Sequence, residues 1–335
     1  MNSGTVSMDQ IYLSSFAMLE PEDDFYLYSP SWLNVWESYH HNKSLKATQA
    51  QAWNLKRFGT VKDTYAGEMI RTPDYMKYIE AMEQAADLAL QKMTAKERML
   101  LMRSRTAFIY IDSWGESGLF EDISSMMHVT LIDTLPKNLL KIFSVKNFTC
   151  KIRGEKQSLM QAIRLAQDYL NWDVFDFVVI CGAYRAIPIL IFSEEEGAAT
   201  RKEKPQRIRS NMCVERVGCF IFSQRESPLK IGCGSWVMPH RNETGNAEPL
   251  IGEAELSLVS MAGLSNSKLS VTLASALQAA GAETINLSDR YGSSGCLTPA
   301  LSWIYLEQHV NSSAKMRTIV PDHLGGYNYF DSWYC

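Results

Sequence analysis

The stretch Ile152–Ala166, IRGEKQSLMQAIRLA, decides how the chain is read. Leu159, Ala162, Ile163 and Ala166, followed by Leu170, recur at helical spacing and form one apolar stripe. Before it, FSVKNFTCKI (Phe143–Ile152) alternates as an extended strand does; after it, FVVICGA (Phe177–Ala183) is a continuous apolar run of strand length. Strand, amphipathic helix and buried strand in succession make a βαβ unit, the signature of an α/β fold. Aligned peptide dipoles favour an anion at a helix N-terminus, yet the chain places Lys156 there.

Working outward, QIYLSSFAML reads as a first strand ending at Leu19, and a helix is predicted from Asp74 to Lys92. Thr94 and Glu97 have the spacing of a capping box for the helix that follows. Thr106–Trp114, TAFIYIDSW, is β-branched and aromatic and reads as a buried strand. Residues 20–73 are acidic, aromatic and without clear period, the mark of a lid or covering insertion. Ser193–Arg209, SEEEGAATRKEKPQRIR, reads as a solvated surface loop. Beyond it, strands are predicted in GCFIF, near Gly234–Met238, in ELSLVSMA, in TINL and in MRTIVP, with helices over Asn266–Ala280 and Gly295–Gln308. The architecture is therefore doubled: a first half over 1–192, a charged connecting loop over 193–212 and a second half over 213–335.

The chain has 335 residues, room for two units of roughly 150 residues each. Its 46% hydrophobic and 21% charged content excludes a disordered chain, and a net charge of -4 gives no basis for nucleic-acid binding. No leader pattern is read at the start. The most apolar run, Phe177–Phe192, is interrupted by Arg185 and Pro188, so no membrane span is expected. Seven cysteines without CxxC pairs or Cys/His spacing point to neither disulfide framework nor metal site, and fit a reducing cytoplasm. Cofactors are expected to be none. Phosphate-loop, dinucleotide and Gly-x-Ser-x-Gly patterns are missing from the sequence.

INLSDRYGSSGCLTPALSWIYL (Ile285–Leu306) resembles the segment of β-ketoacyl synthase III-type condensing enzymes in which a strand, an Asp-Arg-Tyr-Gly-Asn turn and a small-residue helix follow one another. The run from Asn147 through KIRGEKQSLMQAIRLAQDYL to VVICGAY resembles that family's nucleophile region, and VERVGCFIF its passage into the second half. The resemblance spans residues 105–330 and implies a thiolase-like fold, with two similar βαβ-type halves packed in a layered αβαβα arrangement.

It also implies a chemistry. The family uses a cysteine at the N-terminus of the buried helix, where the dipole favours a thiolate, and a histidine and an asparagine that stabilise the developing oxyanion. Setting Ala162 and Ala166 on the family's helix alanines puts Lys156 at the cysteine position; one residue of slippage gives Glu155 or Gln157. Asn266 or a neighbour in MAGLSNSKL stands at the histidine position, and Ser293 at the asparagine position. All three depart from the pattern, so the resemblance implies a degenerate site. A lysine with its ordinary pKa of about 10.4 is a cation there, disfavoured by about 0.3–1 kcal/mol, which Glu155 can offset. The sharper alternative is an amine nucleophile activated by burial.

The expected role is a non-catalytic, ketosynthase-like subunit of a heterodimer or heterotetramer, supporting an active ketosynthase-like partner in polyketide or related acyl-chain biosynthesis. Family members pair their nucleophile-bearing strands across a twofold axis, so Phe148, Thr149, Cys150, Lys151 and Ile152 would form the interface edge. An acyl-CoA or acyl carrier protein thioester is the ligand implied, and a homodimer stays open. The alternative is an acyltransferase or 3-oxoacyl synthase whose nucleophile has moved to Cys150 or Cys296, with His323, beside Gly325 and Gly326, as its base.

Overall fold

The computed structural model describes residues 10–30, 34–58, 75–113, 136–146, 148–154, 156–196, 210–237, 258–263, 277, 281–309, 314–322 and 326–334. In chain order the elements are β1 (Ile11–Leu19), β2 (Tyr26–Leu27), α1 (Val35–Thr48), β3 (Ala52–Lys56), α2 (Tyr75–Lys92), α3 (Ala95–Arg103) and β4 (Thr106–Asp112). There follow α4 (Lys137–Ile142), β5 (Phe148–Arg153), α5 (Ser158–Asn171), β6 (Phe177–Tyr184), α6 (Pro188–Glu196), β7 (Ser210–Val214), β8 (Arg216–Ser223) and β9 (Leu229–Cys233). The chain closes with β10 (Leu258–Met261), β11 (Glu283–Asn286), α7 (Leu287–Tyr291), a 3-10 turn (Gly295–Ala300), α8 (Leu301–His309), β12 (Ala314–Pro321) and β13 (Tyr327–Tyr334).

Ten strands join in the order β11-β10-β12-β13-β9-β1-β8-β6-β4-β5. Cut between β9 and β1, this is the same five-strand unit twice. Numbered within each unit, both read 3-2-4-5-1, with three parallel strands followed by two antiparallel ones. The units meet where Ile11 and Tyr12 pair with Ile231 and Lys230. By pairing, β8 completes the first unit, and the second opens at Leu229.

α5 packs against β1, β4, β5 and β6 of the first unit and against β9 and β13 of the second. Leu159, Ala162, Ile163, Ala166 and Leu170 are all buried, as the stripe predicted, and so is Met160. Burying each of Leu159, Met160, Ile163 and Leu170 contributes roughly 1.5–3 kcal/mol. Trp303 of α8 is the matching anchor from the second unit. Its ring lies 6.0, 5.4 and 5.5 Å from Phe16, Phe220 and Phe330, and its indole N–H donates to Ser332 Oγ at 3.1 Å. On the outer face of the first unit, α2 packs Met82, Ala85, Ala86 and Ala89 against Ala17, Phe108, Val217 and Cys219. Val259, Met261, Leu277, Ile319 and Tyr327 form the outer cluster of the second. The capping box is present: Glu97 N donates to Thr94 Oγ1 at 3.3 Å and Thr94 N to Glu97 Oε2 at 2.7 Å.

Several expectations need correction. The strand predicted over Phe143–Ile152 begins at Phe148, because α4 reaches Ile142 and Ser144 turns the chain at φ 50°. The strand predicted near Gly234–Met238 lies earlier, at β9; Gly234 sits under the Tyr329 ring with no room for a Cβ, and Val237 makes only an isolated bridge. Part of the loop predicted from Ser193 is the end of α6, while 197–209 lie outside the described residues. Gly295–Gln308 is a 3-10 turn running into α8, broken by Pro299. The stretch 20–73 carries regular structure: β2, α1 and β3, with β3 parallel to β7 in a three-stranded sheet whose Trp53 and Leu55 are fully buried. The helix predicted over Asn266–Ala280 lies, except Leu277, outside the described residues.

Candidate functional site at the start of the central helix

β5 delivers the chain into α5 through Gly154, whose amide donates to Asp112 O at 3.2 Å, so the turn is anchored to the end of β4. Lys156 is half-buried and stands two residues before the first helical residue. Gln157 occupies the N-cap but makes no side-chain cap, and the first turn holds no acid. Its amide reaches across to the second unit instead. Nε2 donates to Val320 O at 3.2 Å and Pro321 O at 2.8 Å, and Asn328 Nδ2 donates to Oε1 at 3.0 Å. These contacts bracket the β12–β13 connection, whose residues 323–325 lie outside the described residues.

Cys296 arrives from the second unit. It is fully buried, and its amide donates to Ser113 Oγ at 2.8 Å. Burial pushes its thiol up to about 12, while the hydroxyls of Ser113 and Ser158 pull it back only in part. At neutral pH it is therefore a thiol. The approach depends on Gly295, which has φ 51°; a Cβ there would overlap Ser113 Oγ and the Tyr184 ring. Ser293 is fixed by its backbone, donating to Met212 O and accepting from Val214 N, each at 2.8 Å. Buried Arg216 holds the same turn, donating to Tyr291 O at 2.6 Å, Gly292 O at 3.2 Å and Ser294 Oγ at 2.6 Å, with Glu20 at 2.8 Å as its counter-ion.

Cys150 is elsewhere. It is half-buried on β5 beside Tyr169, and burial raises its thiol as well. Tyr169 is eleven residues past Ser158 on α5, about 16 Å along the axis at 1.5 Å per residue. The structure thus brings Cys296 to the helix start and leaves Cys150 about three turns away. Asn266, Glu155 and His323 lie outside the described residues. Among the described residues, no group of three or more His, Cys, Asp or Glu is placed to hold a metal, and no helix is long and apolar enough to cross a membrane.

No protein-family model matches the sequence, and no curated protein matches it. Solved structures do. A Xanthomonas campestris OleA variant bound with cerulenin superposes with TM-score 0.56 at 10% identity over 100% of both chains. A second OleA variant, with bound lauric acid and lauroyl-CoA, gives 0.55 at 10% over 98% of this chain and 100% of that one. A chain of AntDE:AntF, a type II PKS acyl-carrier protein in complex with its ketosynthase, gives 0.56 at 13% over 98% and 100%. The chain has the thiolase-like fold.

Within a thiolase-like framework α5 is the buried helix of the first unit, and β8, which the sequence reading assigned to the half over 213–335, pairs into that first unit. Sequence reading missed a polar group on the far face of β4. Tyr110 OH lies 3.4 Å from Asp112 Oδ2, and burial, then the Asp112 charge, holds the phenol well above its ordinary range. Glu215, fully buried, accepts from Phe58 N at 2.6 Å, Ala186 N at 2.9 Å and Arg57 Nε at 3.3 Å; burial still pushes its carboxyl up. The two-residue spacing of Tyr110 and Asp112, which puts both on one strand face, was the available signal.

Proposed function

We propose that this chain is a non-catalytic, ketosynthase-like subunit that supports a partner condensing enzyme in acyl-chain or polyketide assembly. One observation carries the reading: at the start of the central helix of a thiolase-like fold stands Lys156, and the thiol beside that helix, Cys296, is buried and protonated. A condensing enzyme needs an accessible thiolate there, with donors for the oxyanion. The degenerate positions are Lys156, Asn266 and Ser293. The partner is an active ketosynthase-like subunit docked along the edge strand Phe148–Ile152, and the thioester it handles arrives on acyl-CoA or an acyl carrier protein. The AntDE:AntF complex, in which an acyl carrier protein sits with its ketosynthase, is the precedent for that carrier.

Co-expression with condensing enzymes that retain Cys, His and Asn is the test. The expected result is a stoichiometric complex whose activity survives Lys156→Ala in this chain. The second reading, an acyltransferase acting through Cys296, draws on its contact with Ser113 and Ser158 at the helix start. Intact-mass measurement after incubation with acyl-CoA separates the two: an adduct abolished by Cys296→Ala overturns the subunit reading.

A further inference from the structure

α1 is amphipathic in the wrong sense. A surface helix ordinarily turns its apolar stripe inward and its polar face to water. Here the buried residues are Glu37, His40, His41, Ser44, Ala47 and Thr48. Glu37, Ser44 and Thr48 are held there by hydrogen bonds. Tyr28 OH bonds Glu37, Ser44 Oγ donates to His41 O and accepts from Trp53 Nε1 at 2.9 Å, and Thr48 Oγ1 accepts from Asn211 Nδ2 at 2.7 Å. Burial holds His41 below the ordinary imidazole range, packed 4.9 Å from the Phe192 ring.

The outward face spans an arc of about 120° at 100° per residue and carries Val35, Trp36, Tyr39, Asn42, Lys43 and Lys46. Val35 is 75%, Trp36 53% and Tyr39 47% exposed. Trp36 stacks on Tyr39 at 6.1 Å, and Lys43 Nζ lies 4.5 Å over the Tyr39 ring. Glu37, the helix's only acid, is turned inward, so this face is aromatic and cationic. An exposed apolar patch together with a buried polar face is the combination that marks a docking surface.

The complementary surface is on the same molecule. Glu22, Asp23 and Asp24 are exposed and run into Phe25 and Leu27, 44% and 65% exposed. This acidic, apolar segment joins Tyr28, which is bonded to Glu37 of α1, so the two patches lie within roughly 20 Å of each other along the chain. We infer that a second copy of this chain docks here, the α1 face of each protomer covering the Glu22–Leu27 segment of the other. A twofold axis satisfies both contacts at once, which makes the interface isologous and closed. Opposite charges align the two apolar patches and set the salt sensitivity of the contact.

The inference is independent of the proposed function and of the Phe148–Ile152 edge. The experiment measures particle mass of the full chain in solution for wild type, for K43E/K46E, for D23K/D24K and for an equimolar mixture of the two variants. Asp23, Asp24 and Lys46 are exposed and Lys43 is half-buried over Tyr39, so circular dichroism checks the folding of each variant. Either variant alone is expected to halve the particle mass, and the mixture to restore it. A variant mass equal to wild type, a mixture that stays dissociated, or a monomeric wild type that sediments instead with anionic phosphatidylserine vesicles overturns it. A complex with a condensing enzyme that forms regardless of these substitutions leaves the proposed function standing while this interface falls.

Discussion

Alkylation of the native protein with iodoacetamide near pH 7.5, followed by peptide mass spectrometry, measures the state of Cys296 directly. An ordinary thiol titrates near 9.0, whereas this one is pushed up to about 12. Three units lower the thiolate fraction about a thousandfold at neutral pH. Nucleophilicity rises with basicity at a Brønsted slope of about 0.4–0.5, returning roughly 15–30-fold. The net expectation is a rate about 30–60-fold below that of the same cysteine in urea, before steric exclusion is counted. The rate should climb about tenfold per pH unit without levelling off below pH 12. Stability is linked to the same shift. The folded value lies above the unfolded one, so the stabilisation is complete below pH 9 and declines as pH rises from 9 towards 12, by about 1.4 kcal/mol per unit. A native rate within threefold of the urea rate, or a plateau near pH 8, refutes the argument that this site cannot present a thiolate.

Three substitutions test the framework around that site. Gln157→Leu removes three hydrogen bonds between α5 and the β12–β13 hairpin and is expected to cost about 2–4 kcal/mol in urea unfolding, with faster amide exchange at Val320 and Asn328. Asp331→Ala strips the buried Arg317 guanidinium of bonds at 2.7 and 2.9 Å and should cost about 3–5 kcal/mol by the same measurement, a loss that added salt does not mimic. Gly295→Ala forces a Cβ into Ser113 and Tyr184 at a positive φ and should lower the melting temperature more than Gly281→Ala, whose Cβ meets nothing, although both glycines have positive φ.

The βαβ core was legible because hydrophobic periodicity alone determined it. The stripe of α5 and the apolar run of β6 have no competing role, and both are buried as predicted. α1 was hidden for the opposite reason: its buried face is Glu37, His40, His41 and Ser44, so no apolar period marks it. β13, YNYFDSWY, was masked by Asp331 and Ser332, polar residues whose partners Arg317 and Trp303 are supplied by other elements. At the site, the apolar stripe set Lys156 at the entry to the helix, and it stands two residues before Ser158, the first helical residue. The meeting of Cys296 with Ser113 was not readable, because it spans 183 residues and exists only once two separately predictable units are packed around α5.

The two ends of the ten-stranded sheet differ, and the difference bears on partnership. β11 is a four-residue edge with Glu283 and Thr284 exposed, the blunt kind that resists pairing. β5 is six residues long; α5 covers Phe148, Cys150 and Ile152 on one face, and the hydrogen-bonding edge beyond Thr149 and Lys151 is vacant of any strand in the described sheet. Self-pairing about a twofold axis normal to the sheet must set a residue opposite its own copy. Centred on Lys151 it opposes two ammonium groups, which is unfavourable. One tolerable self-pairing is centred on Cys150, with Phe148 opposite Ile152, and there the two Cys150 residues face each other with Cβ atoms about 4.5–5.5 Å apart. Mild copper-phenanthroline oxidation then discriminates between assemblies. A homodimer paired in this way cross-links through Cys150, and Cys150→Ser abolishes the product. A heteromer in which a different chain lies along β5 gives no self-linked product at any oxidant exposure that leaves the complex intact. The proposed subunit role requires the second outcome in the presence of its partner, and rapid Cys150 homodisulfide formation in the co-purified complex would overturn it.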